Sequence, residues 1–397
     1  MKKHLFLCVL FILSSILYGQ NNAKKIAESN SLVKEKKYES AFQVLDKLDP
    51  KNDNPEIFLL KQDIVLNYFV TSLSHKMFSL KDIKPDEDIM DYRRSDSSSS
   101  AMVNFDIEAS LEKLIKNNPK NYKLCKSLAD YYYDAFLKYG GRWLKSDEEL
   151  KGLIKKNYEI AIQNNAGDYM SHYSLGYLYI LDEKYKESIP YFLKSIELNS
   201  TYPTSAYNVS IAYMYINDLE NALKYAVKSY ELYTDEDYKS DAARIASQMC
   251  FELKDIDNAI KYINLADKNA PKNYYNIKLM LELYLVKKDP KLDEATVTFF
   301  NLAPSNPTTY NDLKKLFYKY EMGDKLLLFL NQQKVKTGYD DKVLGSIYFY
   351  LATMYVDKDK KLVAENASQA KNHFGKIFEK DHQVFSLIDE LIKNSGK

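Results

Sequence analysis

Apolar and polar positions over residues 169 to 234 follow a three- and four-residue rhythm, broken by short polar turns, and the rhythm is written out twice. The first copy places Leu175, Gly176 and Tyr179 on one helix and Ser188, Phe192 and Ser195 on the next, closing on Glu197-Leu198-Asn199-Ser200. The same slots 34 residues further on hold Val209, Ser210 and Tyr213, then Ala222, Ala226 and Ser229. Large residues in fixed alternation with small ones at that period mark a two-helix unit that cannot bury its apolar face alone and must stack on neighbours. Gly176, Ser210 and Ser247 let the second helix of a pair approach the first, and Tyr179 and Tyr213 fill the layer beside them.

Looser copies occupy the rest of the chain. Ile26 and Leu32, then Tyr38, Ala41, Phe42, Leu45 and Leu48, predict a first pair stopped at Asp49-Pro50. A long helix is expected from Pro55 to about Leu73, and its partner from Phe105 to Asn117. The polar interval Asp82 to Ser100 between them reads as an inserted loop. Cys125, Leu128, Ala129 and Tyr132, then Ile154, Tyr158 and Ala161, give a further pair with an insertion over Ala135 to Leu150 that carries Trp143. Insertions in the inner turns of successive stacked repeats emerge on one edge and often mark a binding face. Pairs follow at Asp241 to Pro271, Asn273 to Pro307, Tyr310 to about Val335, and from Tyr348 through Phe374, about eight in all. Val384, Leu387, Ile388 and Leu391 predict a terminal helix that caps the exposed end.

The two clear copies resemble the tetratricopeptide repeat, whose pattern runs large residue, Leu-Gly, Tyr, small, aromatic, small and Pro. The large first residue is replaced here by His172 and Ala206. The resemblance implies an all-α fold, an α-solenoid of stacked antiparallel helix pairs. Its domain reading is a leader at 1–19, N-terminal repeats at 20–119 with a polar insertion at about 80–100, and an array at 120–397 with an insertion at about 135–150. It also implies a concave groove lined by the first helices, with Tyr173, Tyr177, Tyr207, Ile211, Met214 and Tyr215 at groove-facing positions. Lys126, Asp130 and Tyr133 join them from one side, and Arg244 and Gln248 from the other. Some family members hold a chaperone's C-terminal carboxylate with Lys and Asn in this groove. The matching slots here hold Tyr173, Tyr177, Tyr207 and Ile211, so that activity is not implied.

Composition adds constraints. Gly 11 and Pro 10 in 397 residues fit long helices joined by short turns, and Tyr 35 against Trp 1 supplies aromatic knobs. Lys2 and Lys3 precede an apolar run from Leu5 to Leu17 and a small Gly19, which reads as a secretory signal peptide cleaved near residue 19. Bulky Phe6 and Leu7 before Cys8 speak against a lipid-attachment site. Loss of that leader takes two lysines and no acid, moving the formal charge from +1 to −1 and giving no electrostatic case for nucleic acid. The mature chain is expected to have no stable membrane span, an exported location, periplasmic or secreted, and buried free thiols at Cys125 and Cys250.

No catalytic chemistry is legible. His75, His172, His373 and His382 show no paired spacing, and no phosphate loop, nucleophile elbow or calcium loop occurs. No cofactor and no metal site are expected. The reading is a non-enzymatic scaffold or adaptor that binds a protein or peptide partner through the groove, since Tyr supplies contact area at low entropic cost. Two alternatives stay open: a glycan-binding accessory protein, and an enzyme with its site in the inserted loops around Trp143.

Overall fold

The computed structural model describes residues 22–94 and 101–396; the expected signal peptide and the Ser97 to Ser100 run lie outside them. The chain divides into two compact units, Met1–Ser205 and Ala206–Lys397. Both are built from antiparallel helix pairs, so the all-α solenoid class holds.

The first unit opens with α1 (residues 22–34) and α2 (Tyr38–Leu48), followed by α3 (Pro55–Tyr68). Asn54 caps α3 by accepting from the N–H groups of Glu56 and Ile57, and Pro55 takes the first helical position where no donor is needed. The helix stops at Tyr68, short of Leu73, because the chain turns into a hairpin. Strands β1 (Thr71–Leu73) and β2 (Met77–Ser79) pair antiparallel. After α4 (Ile89–Arg94), β3 (Met102–Asn104) joins the other side of β2. The inserted segment is therefore anchored at both ends by a small sheet.

Next come α5 (Ile107–Asn117), α6 (Lys123–Tyr139), α7 (Asp147–Gln163), α8 (Tyr169–Leu181) and α9 (Tyr185–Leu198). The expected insertion over 135–150 is mostly helix: α6 runs on to Tyr139 and α7 begins at Asp147, leaving a single short 3-10 turn and a brief connection. Asp168 and Ser171 form a reciprocal capping box at the start of α8. One core joins Phe42, Phe58, Phe78, Phe105, Tyr131 and Tyr158.

The second unit contains most of α10 (Pro203–Tyr215), then α11 (Leu219–Leu232), α12 (Glu236–Glu252), α13 (Ile256–Asn269), α14 (Tyr274–Lys287) and α15 (Leu292–Leu302). It continues with α16 (Pro307–Lys319), α17 (Gly323–Gln333), α18 (Asp341–Tyr355), α19 (Lys360–Phe374) and α20 (Gln383–Ser395). Asp218, Asp235, Asp255, Asn273, Asn306, Asp340 and Asp359 each cap the helix that follows. On α20, Ile388 is fully buried against Ala352, Ala367, Ala370 and Phe374.

The small slots at Ser29, Ser210 and Ser247 share one geometry. Ser29 donates to the carbonyl of Ala41 at 3.0 Å, Ser210 to that of Ala222 at 2.9 Å, and Ser247 to that of Ala259 at 2.7 Å, each across 12 residues. These bonds satisfy a hydroxyl that would otherwise be buried unpaired, and they pin two backbones together. At Gly176 the slot carries no side chain, and the ring of Phe192 fills it.

Candidate functional site

In the first unit α3, α6 and the start of α8 enclose a cavity of about 780 Å³. Its floor is polar and internally satisfied. Gln62 on α3 donates to the carbonyl of Ser127 at 2.8 Å and accepts from the Ser127 hydroxyl at 2.7 Å. Tyr158, fully buried on α7, donates to Asp130 Oδ1 at 2.8 Å. Lys126 lies between Asp130 Oδ2 at 2.8 Å and Asp168 Oδ2 at 3.1 Å. Helical spacing explains this: Lys126 and Asp130 are one turn apart on α6, and Asp168 faces them as the cap of α8.

The protonation balance follows burial. Desolvation pushes the Asp130 carboxyl above its usual range, against the pull of Lys126. Burial works against the Lys126 ammonium, yet Asp130 and Asp168 hold it above its ordinary range. Desolvation also lifts the Tyr158 phenol, and the adjacent Asp130 lifts it further. Tyr158→Phe would leave Asp130 without its phenolic donor, so a loss of about 1.5 to 3 kcal/mol is expected in chemical denaturation of this unit. Unchanged stability of that variant would show the bond to be dispensable.

A second polar cluster lies behind the groove. His75 sits in the hairpin turn and is fully buried, with Nε2 2.9 Å from Asp134 Oδ2 and Nδ1 3.3 Å from the Tyr139 hydroxyl. Its ring stacks on Tyr131 at 5.2 Å, and Tyr139 also bonds to Ser72. Trp143 donates its indole N–H to the carbonyl of Ser74 at 3.1 Å and meets Tyr131 edge-on. These contacts clamp the hairpin to α6. Trp143 is half-buried in this role.

The groove-facing residues expected from the repeat pattern separate by unit. Lys126, Asp130 and Tyr133 all line the cavity. Tyr173 is buried, packed on Phe192, Tyr177 and Tyr202. Tyr177 is half-buried against the first core. In the second unit Tyr207 donates to Asp241, which also receives Arg244, and the Arg244 guanidinium lies over Tyr275. Ile211 and Met214 pack beside Ile245, Ala246 and Met249, while Gln248 is half-buried and Tyr215 is 60% exposed. Gln62 and Asp63 were not legible as groove residues, because the inserted hairpin hides the register between α3 and α6, and Asp134 and Asp168 also line the cavity without having been expected there.

Among the described residues no group of His, Cys, Asp or Glu is arranged to hold a metal ion, and no helix is long and apolar enough to cross a membrane. Helices paired through a small-residue slot define a class, that of helical repeat proteins. Residues 171–202 match the tetratricopeptide repeat family. Comparison with the sequences of curated proteins gives no match. Among solved structures, a tetratricopeptide repeat protein from Parabacteroides merdae shares 14% identity over 69% of this chain and 99% of its own, with a TM-score of 0.42. PilF of Pseudomonas aeruginosa shares 16% over 52% of this chain and 87% of its own, at 0.38. The C-terminal part of a repeat protein from Cytophaga hutchinsonii shares 12% over 71% and 94%, at 0.39. What those proteins bind does not transfer at such distances.

Proposed function

We propose that this chain is an exported adaptor whose first unit captures a protein partner through an extended segment laid in the groove of α3, α6 and α8. Repeat proteins of this fold serve as protein-binding scaffolds, and the observation that carries the reading here is the cavity of about 780 Å³ with its preorganised polar floor. Such a floor fixes orientation, while Leu59, Leu66, Tyr169 and Met170 supply apolar surface around it. Export rests on the charged, apolar and small-residue succession of the first 19 residues.

Met170 lies at the groove wall and is half-buried, so a larger neutral side chain there fills the cavity without altering its charge. Met170→Trp should abolish capture of partners from the native envelope while leaving the helical melting curve within about 1 kcal/mol of the parent's. Equal recovery of partners by the filled variant would remove the groove from consideration.

A further inference from the structure

We infer that His382 is an acid-sensitive latch on the terminal helix: as a neutral ring it fastens α20 against α18 and α19, and as an imidazolium it lets the helix go. His382 is the N-cap of α20, and its Nδ1 accepts from the backbone N–H of Val384 at 3.2 Å. A backbone N–H only donates, so Nδ1 must present a lone pair and the ring proton must sit on Nε2. The caps already given for the second unit, from Asp218 to Asp359, use carboxylate or amide oxygens, which carry no such requirement.

Histidine side chains change charge between about pH 5 and 8. A proton added at Nδ1 removes the acceptor and turns a cation toward the first N–H groups of α20, the end of the helix where the macrodipole is already positive. The docked helix therefore suits the neutral ring alone, whereas the released segment takes either form, and acid shifts the balance to release. The helix is lightly held. Of the described residues of α20, Ile388 alone is buried, against Ala352, Ala367, Ala370 and Phe374, with Val384, Phe385, Leu391 and Ile392 half-buried around it. Leu387 on the same helix is 53% exposed.

The neighbouring groups do not supply the same switch. The ring of His382 stacks on Phe378 at 4.1 Å, a contact between residues four apart that does not require the docked helix. Glu379, Lys380 and Asp381 precede His382 on the same connection, and Asp389, Glu390 and Lys393 follow it on α20. Asp389 pairs with Lys371 of α19. On α18, Asp341 receives Lys376 and His373, which hold its carboxyl below the usual range. Carboxylates in general discharge at lower pH than imidazoles, so acidification through the histidine range acts on His373 and His382. His373 works in the opposite direction, because its Nδ1 lies 2.6 Å from the Asp341 carboxylate and protonation strengthens that tie between α19 and α18.

The test is amide hydrogen exchange of the whole protein at about pH 7.5 and about pH 5.5, with protection corrected for the intrinsic effect of pH on exchange. The amides from Leu387 to Leu391 should lose about tenfold in protection on acidification, the joint effect of a lost cap and an unfavourable charge at the helix start. His382→Asn keeps a capping oxygen that does not titrate, so its α20 should be equally protected at both pH values. His382→Ala should be weakly protected at both, and His373→Gln should retain the acid loss. The amide of Ile263 in α13 should keep its protection throughout. Equal protection of α20 in the parent protein at the two pH values, persistence of the loss in His382→Asn, full protection in His382→Ala, disappearance of the loss in His373→Gln, or a parallel loss at Ile263 would each overturn the inference.

Discussion

Gly176→Leu should destabilise the first unit by about 2 to 3 kcal/mol, because the two helices of that pair touch where the side chain would go. A methyl group at position 176 would already lie 2.9 Å from Phe192 Cε1 and 3.0 Å from two further ring carbons. Phe192 is fully buried against Tyr173 and has no room to swing aside. Leucine adds three more carbons, so either the ring leaves its rotamer or the helices separate. Trp143, the single tryptophan, lies in this unit, and its emission during urea denaturation reads the unit directly. Phe192→Ala alone leaves a cavity, but in the Gly176→Leu background it makes space, so the double variant should lose less than the two single losses combined. Additive losses would dismiss the contact. Gly345 stands in the same relation to Phe374 in the second unit, with 2.6 Å to Cε1, and leucine there should be at least as costly.

His75→Ala should cost about 3 kcal/mol, by analogy with truncation of a buried aromatic side chain, and should free the hairpin. The ring makes three kinds of contact that alanine cannot: the pairing with Asp134, the bond to Tyr139 and the stack on Tyr131. The backbone compounds the loss, since Ser74 and His75 both sit at positive φ, +52° and +56°, where an L-residue gains nothing unless tertiary contacts hold it. The amides of Val70 and Phe105, which bond to Ser79 and Lys76 across the sheet, should exchange with solvent much faster in the variant. Retained protection at both would show that the sheet stands without the clamp.

The same region marks where the sequence ceased to be readable. The pairs from α8 to α13 were legible because Gly176, Ser188, Ser210, Ala222, Ser247 and Ala259 recur in slots that only a close helix crossing requires. The hairpin was not, for its strands are three residues each and Ser74-His75 lacks the Asn-Gly or Asp-Gly signature of a tight turn. His75 therefore read as one scattered histidine, although it is fully buried. Part of the groove was visible: Lys126, Asp130 and Tyr133 fall on one face of α6 by spacing. Asp63 was not, because its place opposite them depends on how α3 returns after the hairpin, and no local periodicity records that.

The serine-to-carbonyl bonds that fasten Ser29, Ser210 and Ser247 to their partner helices also bear on how fast the chain folds. Each closes a loop of 12 residues, a span that unfolded polypeptide samples in about 10 to 100 ns. A pair can thus form as soon as its own residues are available, and its neighbours add to it in turn, as low contact order favours. The hairpin follows a different clock, since Tyr131 and Trp143 meet it across 56 and 69 residues of chain. Repeats on either side should assemble first, and docking of His75 onto α6 should be the slow final step of the first unit.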